Sequence, residues 1–231
     1  MLTENKFSKY LLYAIGEIVL VVFGILIALS INNWQQDNYN RNLEIRYITD
    51  LTNNLKKDST SLHNLYKEAL RASDAKDSIM EYLNQHDYKL DSLSVYFKYQ
   101  WNPYKIFSPS TSIIDEMKSN GHLKIIRNEA IRKQIVDIYY TYELFTQDEN
   151  LYRESTREIF MIAKANLKNI SDYSNEEVKA LLQEPKLANT IRKNFANGRV
   201  KSVTNAFKEC NELLRTLDRY NQQITKAQQW L

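Results

Sequence analysis

The sequence predicts an all-α protein in which one N-terminal transmembrane helix continues into an elongated antiparallel helical bundle. Only four glycines and three prolines occur among the 231 residues. These two residue types mark most turns and hairpins, so their scarcity favours long helices over a sandwich or barrel. One strongly apolar run, residues 10–34, stands near the start of an otherwise polar chain.

The apolar run is long enough to span a membrane. Residues 11–31 hold a single charged side chain, Glu17. As a helix they measure roughly 31 Å at 1.5 Å per residue, which is about one bilayer core. Tyr10, Tyr13 and Trp34 stand at the two ends, as in an aromatic belt. The run therefore predicts a transmembrane helix in contact with membrane lipid.

A cleaved signal peptide is the alternative interpretation of this run. Lys6 and Lys9 would form its positive n-region, and residues 28–30 offer a small-x-small cleavage site. The apolar stretch is longer than the usual h-region of a signal peptide. That length favours a retained anchor.

The basic residues beside the span predict its orientation. Lys6 and Lys9 precede it together with the free amine, whereas Arg41 and Arg46 follow within twenty residues. This small excess favours a cytoplasmic N-terminus in the inner membrane. The predicted division is a cytoplasmic tail at residues 1–9, a transmembrane helix at 10–34 and a periplasmic helical domain at 35–231.

The predicted span carries the candidate helix-packing residues Gly16, Glu17, Gly24 and Ala28. At heptad spacing Glu17, Gly24 and Ala28 fall on one seam of the helix. Gly24 and Ala28 form a small-xxx-small step that lets a second helix approach closely. An ionisable group such as Glu17 usually points at protein or water. Glu17 could pack in a homo-oligomer or against a partner membrane protein. It could also reach the lipid headgroups, or belong to a proton or ion pathway.

Two sequence blocks resemble a known family. Residues 9–34 carry the signature KYLLYAIGEIVLVVFGILIALxINNW, and residues 107–128 read FSPSTSIIDEMKSNGHLKIIRN. Both are similar to a family of gram-negative bacterial membrane proteins known as a domain of unknown function. The resemblance implies a single-pass anchor and a helical domain. It brings no activity, cofactor or catalytic residue.

A first long helix is predicted to extend to about residue 83. Its apolar residues recur at steps of three and four, interrupted at Asp58 and Lys76. Both a coiled-coil dimer and an intrachain bundle helix fit this pattern. The apolar segments later in the chain need a partner, which favours the bundle.

An aromatic segment follows that helix, at residues 96–107. It could form a short strand or a helical turn. As an aromatic cap it would close the end of the bundle, and as an exposed patch it could recognise a protein or a glycan. The candidate recognition residues are Tyr96, Phe97, Tyr99, Trp101 and Tyr104.

Local signals place the ends of the next helices. A short helix after Pro109 is stopped by Gly121, and Asn128 caps a long helix that runs to about residue 168. Ser174 and Glu177 form a capping box that opens another short helix.

The last part of the chain predicts two more helices and an excess of positive charge. A helix over residues 186–197 is expected to stop at Gly198, and the last helix runs from Arg199 towards residue 231. Nine basic and three acidic residues follow Pro185. They predict either a solvated face or contact with anionic lipid or an acidic partner. Nucleic acid is not an expected partner of a periplasmic domain.

The sequence contains no recognisable catalytic or metal-binding motif. His63, His86 and His122 lie on separate segments, and HExxH and Walker patterns are missing. Cys210 is the only cysteine, so it forms no intrachain disulfide, and its seam position predicts a core residue. No cofactor, no metal and no enzymatic activity are expected.

The leading functional hypothesis is therefore a membrane-anchored helical interaction module. It would be a scaffold, accessory subunit or sensor-like protein that acts through protein–protein contacts. A periplasmic ligand-binding domain with a pocket near residues 96–107 is one alternative. A membrane-tethered enzyme of unrecognised type is the other.

Overall fold

The computed structural model describes residues 4–84, 92–101 and 106–228, and within them it contains helices, turns and bends but no strand. The predicted all-α class is confirmed. The helices in these ranges are α1 (Glu4–Asn84), α2 (Leu93–Lys98), α3 (Ser112–Ser119), a 3₁₀ helix (His122–Ile125), α4 (Glu129–Asn166), α5 (Asn175–Leu182), α6 (Pro185–Lys193) and α7 (Ala196–Gln228).

The chain divides into two compact units, Met1–Tyr47 and Ile48–Leu231, and the boundary falls inside α1. The first unit is the N-terminal part of α1, with its long apolar run. The second unit packs the rest of α1 together with the later helices around a hydrophobic core.

α7 runs antiparallel to α1 within the second unit. Near the start of this part of α1, the Asn221 side chain donates to the Thr49 hydroxyl at 3.2 Å. Further along, Ser59 donates to Asn211 at 2.9 Å. Because the partner's number falls as the α1 number rises, the two helices run in opposite directions.

α7 is also antiparallel to α4. Thr141 donates to Glu209 at 2.5 Å, and Ser202, earlier on α7, donates to Asp148, later on α4. α1 and α4 therefore run in the same direction. The segment that carries α2, α3 and the 3₁₀ helix connects the far end of α1 back to the start of α4.

The helical seam predicted on α1 faces the core of the second unit. Its fully or almost fully buried apolar residues are Ile48, Leu51, Leu55, Leu62, Leu65, Ala69, Ala72, Ala75 and Ile79. They follow the steps of three and four read from the sequence. This part of α1 buries its seam within its own chain, as the intrachain bundle interpretation expects.

Three of the predicted helix boundaries depend on side-chain or backbone signals that the structure confirms. The Asn128 side chain accepts from the backbone N–H of Ile131 at 3.1 Å, which caps α4. Ser174 and Glu177 form the reciprocal capping box of α5. Gly121 has a φ of 65°, the left-handed conformation that ends α3 after Asn120.

The expected helix stop at Gly198 is wrong, because Gly198 lies inside the first turn of α7. The interruption comes earlier, where the Asn194 side chain accepts from the Ala196 N–H at 2.8 Å. Gly198 has a packing role instead. A Cβ at this position would lie 2.3 Å from the nearest ring atom of Phe195.

Candidate functional site

The N-terminal part of α1 presents a continuous exposed apolar surface. The structure has one helix in its described residues that is long and apolar enough to cross a membrane, judged by length and composition. None of its apolar window is buried within the protein. Tyr10 and Tyr13 at one end and Trp34 at the other are also exposed. The exposed surface is compatible with a single-pass membrane protein.

The four predicted packing residues all lie exposed on this helix. Glu17, Gly24 and Ala28 are separated by seven and four residues, so they share one face. A Cβ built on Gly16 or on Gly24 would meet no atom within 4 Å. The helix backbone is therefore open to close approach at these positions.

A polar group inside the apolar run already has a partner. The Ser30 hydroxyl donates to the carbonyl oxygen of Leu26 at 2.8 Å, one turn earlier in the helix. An unsatisfied hydroxyl would be costly in hydrocarbon, so this bond suits the segment to an apolar environment. Glu17 remains the ionisable group on the candidate face.

The aromatic segment predicted as a recognition patch is divided between core and surface. Phe97 is fully buried, Tyr96 and Trp101 are partly buried, and Tyr99 is exposed. Tyr104 lies outside the described residues. Of its described residues, 96–98 belong to α2 and 99–101 form a turn and a bend rather than a strand. At least part of it closes the end of the bundle, as the aromatic-cap interpretation expects.

Packing of this cap depends on a tyrosine that the sequence reading did not single out. Tyr173 contacts Phe97 edge-on at 6.0 Å and Trp101 at 6.5 Å between ring centroids. Burial raises the pKa of the Tyr173 phenol to about 12. At the N-terminal end of α2, the Ser94 N–H donates to the Asn175 side chain at 2.8 Å and ties α2 to α5.

The two interruptions in the α1 seam are both attachment points for non-helical backbone. The buried Asp58 carboxylate accepts from the backbone N–H and the hydroxyl of Ser110, each at 3.1 Å. Tyr139 donates to the carbonyl oxygen of Ser110 at 3.1 Å. Lys76 donates to the carbonyl oxygen of Asn194 at 2.5 Å.

The two residues that interrupt the α1 seam, Asp58 and Lys76, also have shifted pKa values. Burial raises the pKa of the Asp58 carboxyl above its ordinary value, although the Ser110 hydrogen bonds act in the opposite direction. Burial lowers the pKa of the Lys76 ammonium. Each group therefore has a cost in its charged form, which its hydrogen bonds to the connecting segments partly offset.

A buried ion pair joins α4 to α7. Arg199 donates through Nε to one Glu149 oxygen at 2.6 Å and through Nη2 to the other at 3.0 Å. The guanidinium carbon also lies 4.4 Å from the centre of the Tyr152 ring. Burial opposes the charge on Arg199, but the Glu149 carboxylate outweighs that effect and raises the arginine pKa.

Glu149 was missed by the sequence reading although a signal was present. The seam of α4 reads Ile138, Tyr142, Phe145, Glu149 and Tyr152 at helical spacing. A carboxylate on an apolar seam needs a buried cation or donor. Its partner is 50 residues away, so the sequence alone could not identify it.

Cys210 is a buried core residue, as its seam position predicted. Its thiol lies 3.5 Å from the carbonyl oxygen of Leu55, and burial raises its pKa to about 11. The thiol is therefore protonated at neutral pH and a poor nucleophile. Among the described residues, no group of three or more His, Cys, Asp or Glu side chains is placed to hold a metal ion.

Comparison with protein families places the chain in a family. The model of a family of unknown function, DUF6090, matches residues 17–192, which is more than half of the 231-residue chain. This range includes part of the apolar run and most of the second unit. No curated protein and no solved structure matches the chain.

Proposed function

The chain belongs to DUF6090, a family of unknown function, and from its structure we propose that it is a membrane-anchored helical interaction module without catalytic activity. Residues 10–34 form its single span, with the N-terminus in the cytoplasm and the second unit in the periplasm of a gram-negative cell. The module acts as a scaffold, accessory subunit or sensor-like protein.

The observation that carries this proposal is the contrast between the two parts of α1. Beyond residue 48 the helix buries its apolar seam in its own bundle, whereas none of the apolar window near the N-terminus is buried. An apolar helix surface of this length needs lipid or another protein to cover it. The face with Glu17, Gly24 and Ala28 is the part of it that best suits a second helix.

The working contact is therefore between this face and a second membrane helix, from another copy or from a partner membrane protein. Small side chains at Gly24 and Ala28 allow backbones to approach closely. Glu17 supplies a polar group that is best satisfied by a partner rather than by hydrocarbon. A signal from the second unit would pass to the cytoplasm through the partner.

A ligand pocket near residues 96–107 receives less support. Phe97 belongs to the core cluster of the second unit with Ile79, Leu93 and Ile159, so its ring stabilises the fold. A substitution that truncates Phe97 would destabilise the aromatic cap, so its effect could not be assigned to lost ligand binding. No observation favours a second function over the interaction module.

Recovery of partners from native membranes tests the proposal. In one variant, Gly24→Leu with Ala28→Leu fills the small-residue face, and in the control Val19→Leu with Val22→Leu changes the opposite side of the helix. We expect mass spectrometry to find partners, or the chain's own second copy, with the wild type and the control only. Equal recovery with all three proteins would contradict the proposed contact face.

A further inference from the structure

A surface groove runs along the junction of α4 and α7. It consists of three cavities of about 420, 300 and 310 Å³. The first shares Thr141 with the second, and it shares Gln134 and Thr216 with the third, so the three are continuous. Along α7 the groove extends from Lys201 to at least Arg219, about 27 Å at 1.5 Å per residue. A helix of about five turns has this length.

The groove has an apolar floor and one apolar rim. Ile138, Phe145 and Leu213 contribute its buried surface. On the rim, Tyr140 is 60% exposed and Leu144 is 43% exposed. Large apolar side chains are usually covered, so this rim is a candidate contact surface.

The rim continues as a stripe on the outer face of α4. Val136, Tyr140, Leu144 and Leu151 follow one another at intervals of four, four and seven residues, which places them on one side of the helix. In the described part of the second unit, most of the large exposed apolar side chains lie on α4, namely Val136, Tyr140, Leu144, Leu151 and Met161.

The centre of the groove is acidic. Asp137, Glu209 and Glu212 line the central cavity, and its described lining includes no lysine, arginine or histidine. Thr141 and Asn205 donate to the Glu209 carboxylate at 2.5 and 3.0 Å. Both donors are neutral, so they orient this carboxylate in the groove without cancelling its charge.

The charge pattern changes towards the ends of the groove. Lys208 lies 4.0 Å from Glu212, but both side chains are exposed, and such a pair contributes little. Lys201 lines one end cavity together with Asp148, which accepts from the neutral Ser202 hydroxyl, and Arg219 lines the other end cavity. The middle of the groove is therefore purely acidic, the Arg219 end is cationic, and the Lys201 end carries a cation beside a carboxylate. The acidic middle is the strongest part of this charge pattern, and it calls for a partner with central cations.

We propose that this groove is the docking site for an amphipathic helix of a partner protein, with lysine or arginine beside the middle of its apolar stripe and acidic residues near its ends. The apolar stripe of the partner would cover Tyr140 and Leu144, as in other helix-in-groove complexes. Its central cations would meet Asp137, Glu209 and Glu212. The proposal deepens the interaction function, and it rests on that function, by specifying a second contact surface.

Two synthetic helical peptides of 18 residues test it against the full chain in lipid nanodiscs. Both carry leucine along one face; one has central lysines and terminal glutamates, and the other has the charges exchanged. We expect fluorescence anisotropy to show at least tenfold tighter binding of the lysine-centred peptide. Asp137→Lys with Glu212→Lys should reverse this preference, and Tyr140→Ala with Leu144→Ala should weaken binding of both peptides at least tenfold.

A matched control makes the same charge change elsewhere. Asp74→Lys with Glu81→Lys alters two exposed carboxylates on α1, outside the residues that line the groove, and should leave the peptide preference unchanged. Circular dichroism verifies that every variant is folded. Equal affinity for the two peptides, or a preference that survives the groove reversal, would overturn the proposal.

A test of whether the chain binds a second copy of itself also decides which molecule occupies the groove. If nanodiscs with one chain bind a second copy through the groove, and the Tyr140 and Leu144 variant abolishes this, the occupant is a second copy and the proposed partner helix is wrong. Recovery of partners through the membrane face does not depend on these groove variants. Failure of peptide binding can therefore be distinguished from failure of the proposed function.

Discussion

Arg199 and Glu149 hold α7 against α4 through a bidentate ion pair that is almost completely buried, with side chains 4% and 5% exposed. Two parallel hydrogen bonds between planar groups fix the relative position of the two helices as well as attracting them. The ring of Tyr152 covers the guanidinium. Loss of either charged partner would leave the other buried and unpaired.

Glu149→Ala should therefore destabilise the second unit by about 3–5 kcal/mol, the usual cost of leaving one member of a buried pair. Urea unfolding of the full chain in detergent, followed by circular dichroism, measures this. Glu149→Leu with Arg199→Met removes both charges and should recover most of the loss. For comparison, Asp218→Ala breaks an exposed pair with Lys56 at 3.6 Å and should cost less than about 1 kcal/mol. Similar losses for Glu149→Ala and Asp218→Ala would refute this account.

Asp58 should make stability depend on pH in a specific direction. Its folded pKa is raised above the ordinary 3.8 mainly by burial. The folded state therefore takes up a proton at higher pH than the unfolded state, and the stability contribution of this group increases as pH falls. Relative to Asp58→Asn, the wild type should gain unfolding free energy as pH falls from 7 towards the ordinary aspartate pKa of 3.8. If the difference in unfolding free energy between the wild type and Asp58→Asn stays constant with pH, or changes in the opposite direction, Asp58 is not desolvated.

The Asp58–Ser110 contact should also control local opening of the segment before α3. Ser110→Ala keeps the backbone donor but removes the hydroxyl that donates to Asp58. We expect faster hydrogen exchange in residues 107–112, with α4 and α7 unchanged. Thr60→Ala is a suitable control, because the exposed Thr60 hydroxyl donates only to the carbonyl oxygen of Lys56, one turn earlier in α1. Faster exchange throughout the bundle would indicate global destabilisation instead.

Gly198→Ala should destabilise α7 although alanine is the better helix former. The added Cβ would lie 2.3–2.8 Å from three ring atoms of Phe195, so the ring has to move. Crowding of this kind costs about 1–3 kcal/mol. Thermal unfolding measures the loss, and Phe195→Leu in the same chain should reduce it. An unchanged or raised melting temperature would show that the ring moves freely.

The sequence was most informative where a structural signal is local. Asn128 caps the helix that starts at the next residue, and Ser174 and Glu177 close a box across three residues. The periodicity of α1 likewise identified its core face. These features depend on neighbours within one or two turns, and so a single sequence displays them.

The features that the sequence did not reveal depend on residues far apart in the chain. Asp58 and Lys76 were recognised only as interruptions of the seam, because their partners Ser110 and Asn194 are 52 and 118 residues away. The groove is lined by residues of both α4 and α7, so it forms only when these two helices pack against each other. Gly198 misled because glycine marks a helix end in many proteins, whereas here it lies inside the first turn of α7, close to the Phe195 ring.

Disulfide cross-linking in native membranes tests the central claim most directly. Single cysteines at Glu17, Gly24 and Ala28 probe the proposed face, and cysteines at Ile15, Val19 and Leu26 probe the opposite side of the same helix. Cys210 in the wild type serves as background, since it is buried. The proposal predicts dimers or partner adducts at positions 17, 24 and 28 and much weaker ones at 15, 19 and 26. Equal cross-linking around the helix, or none at the first three positions, would contradict it.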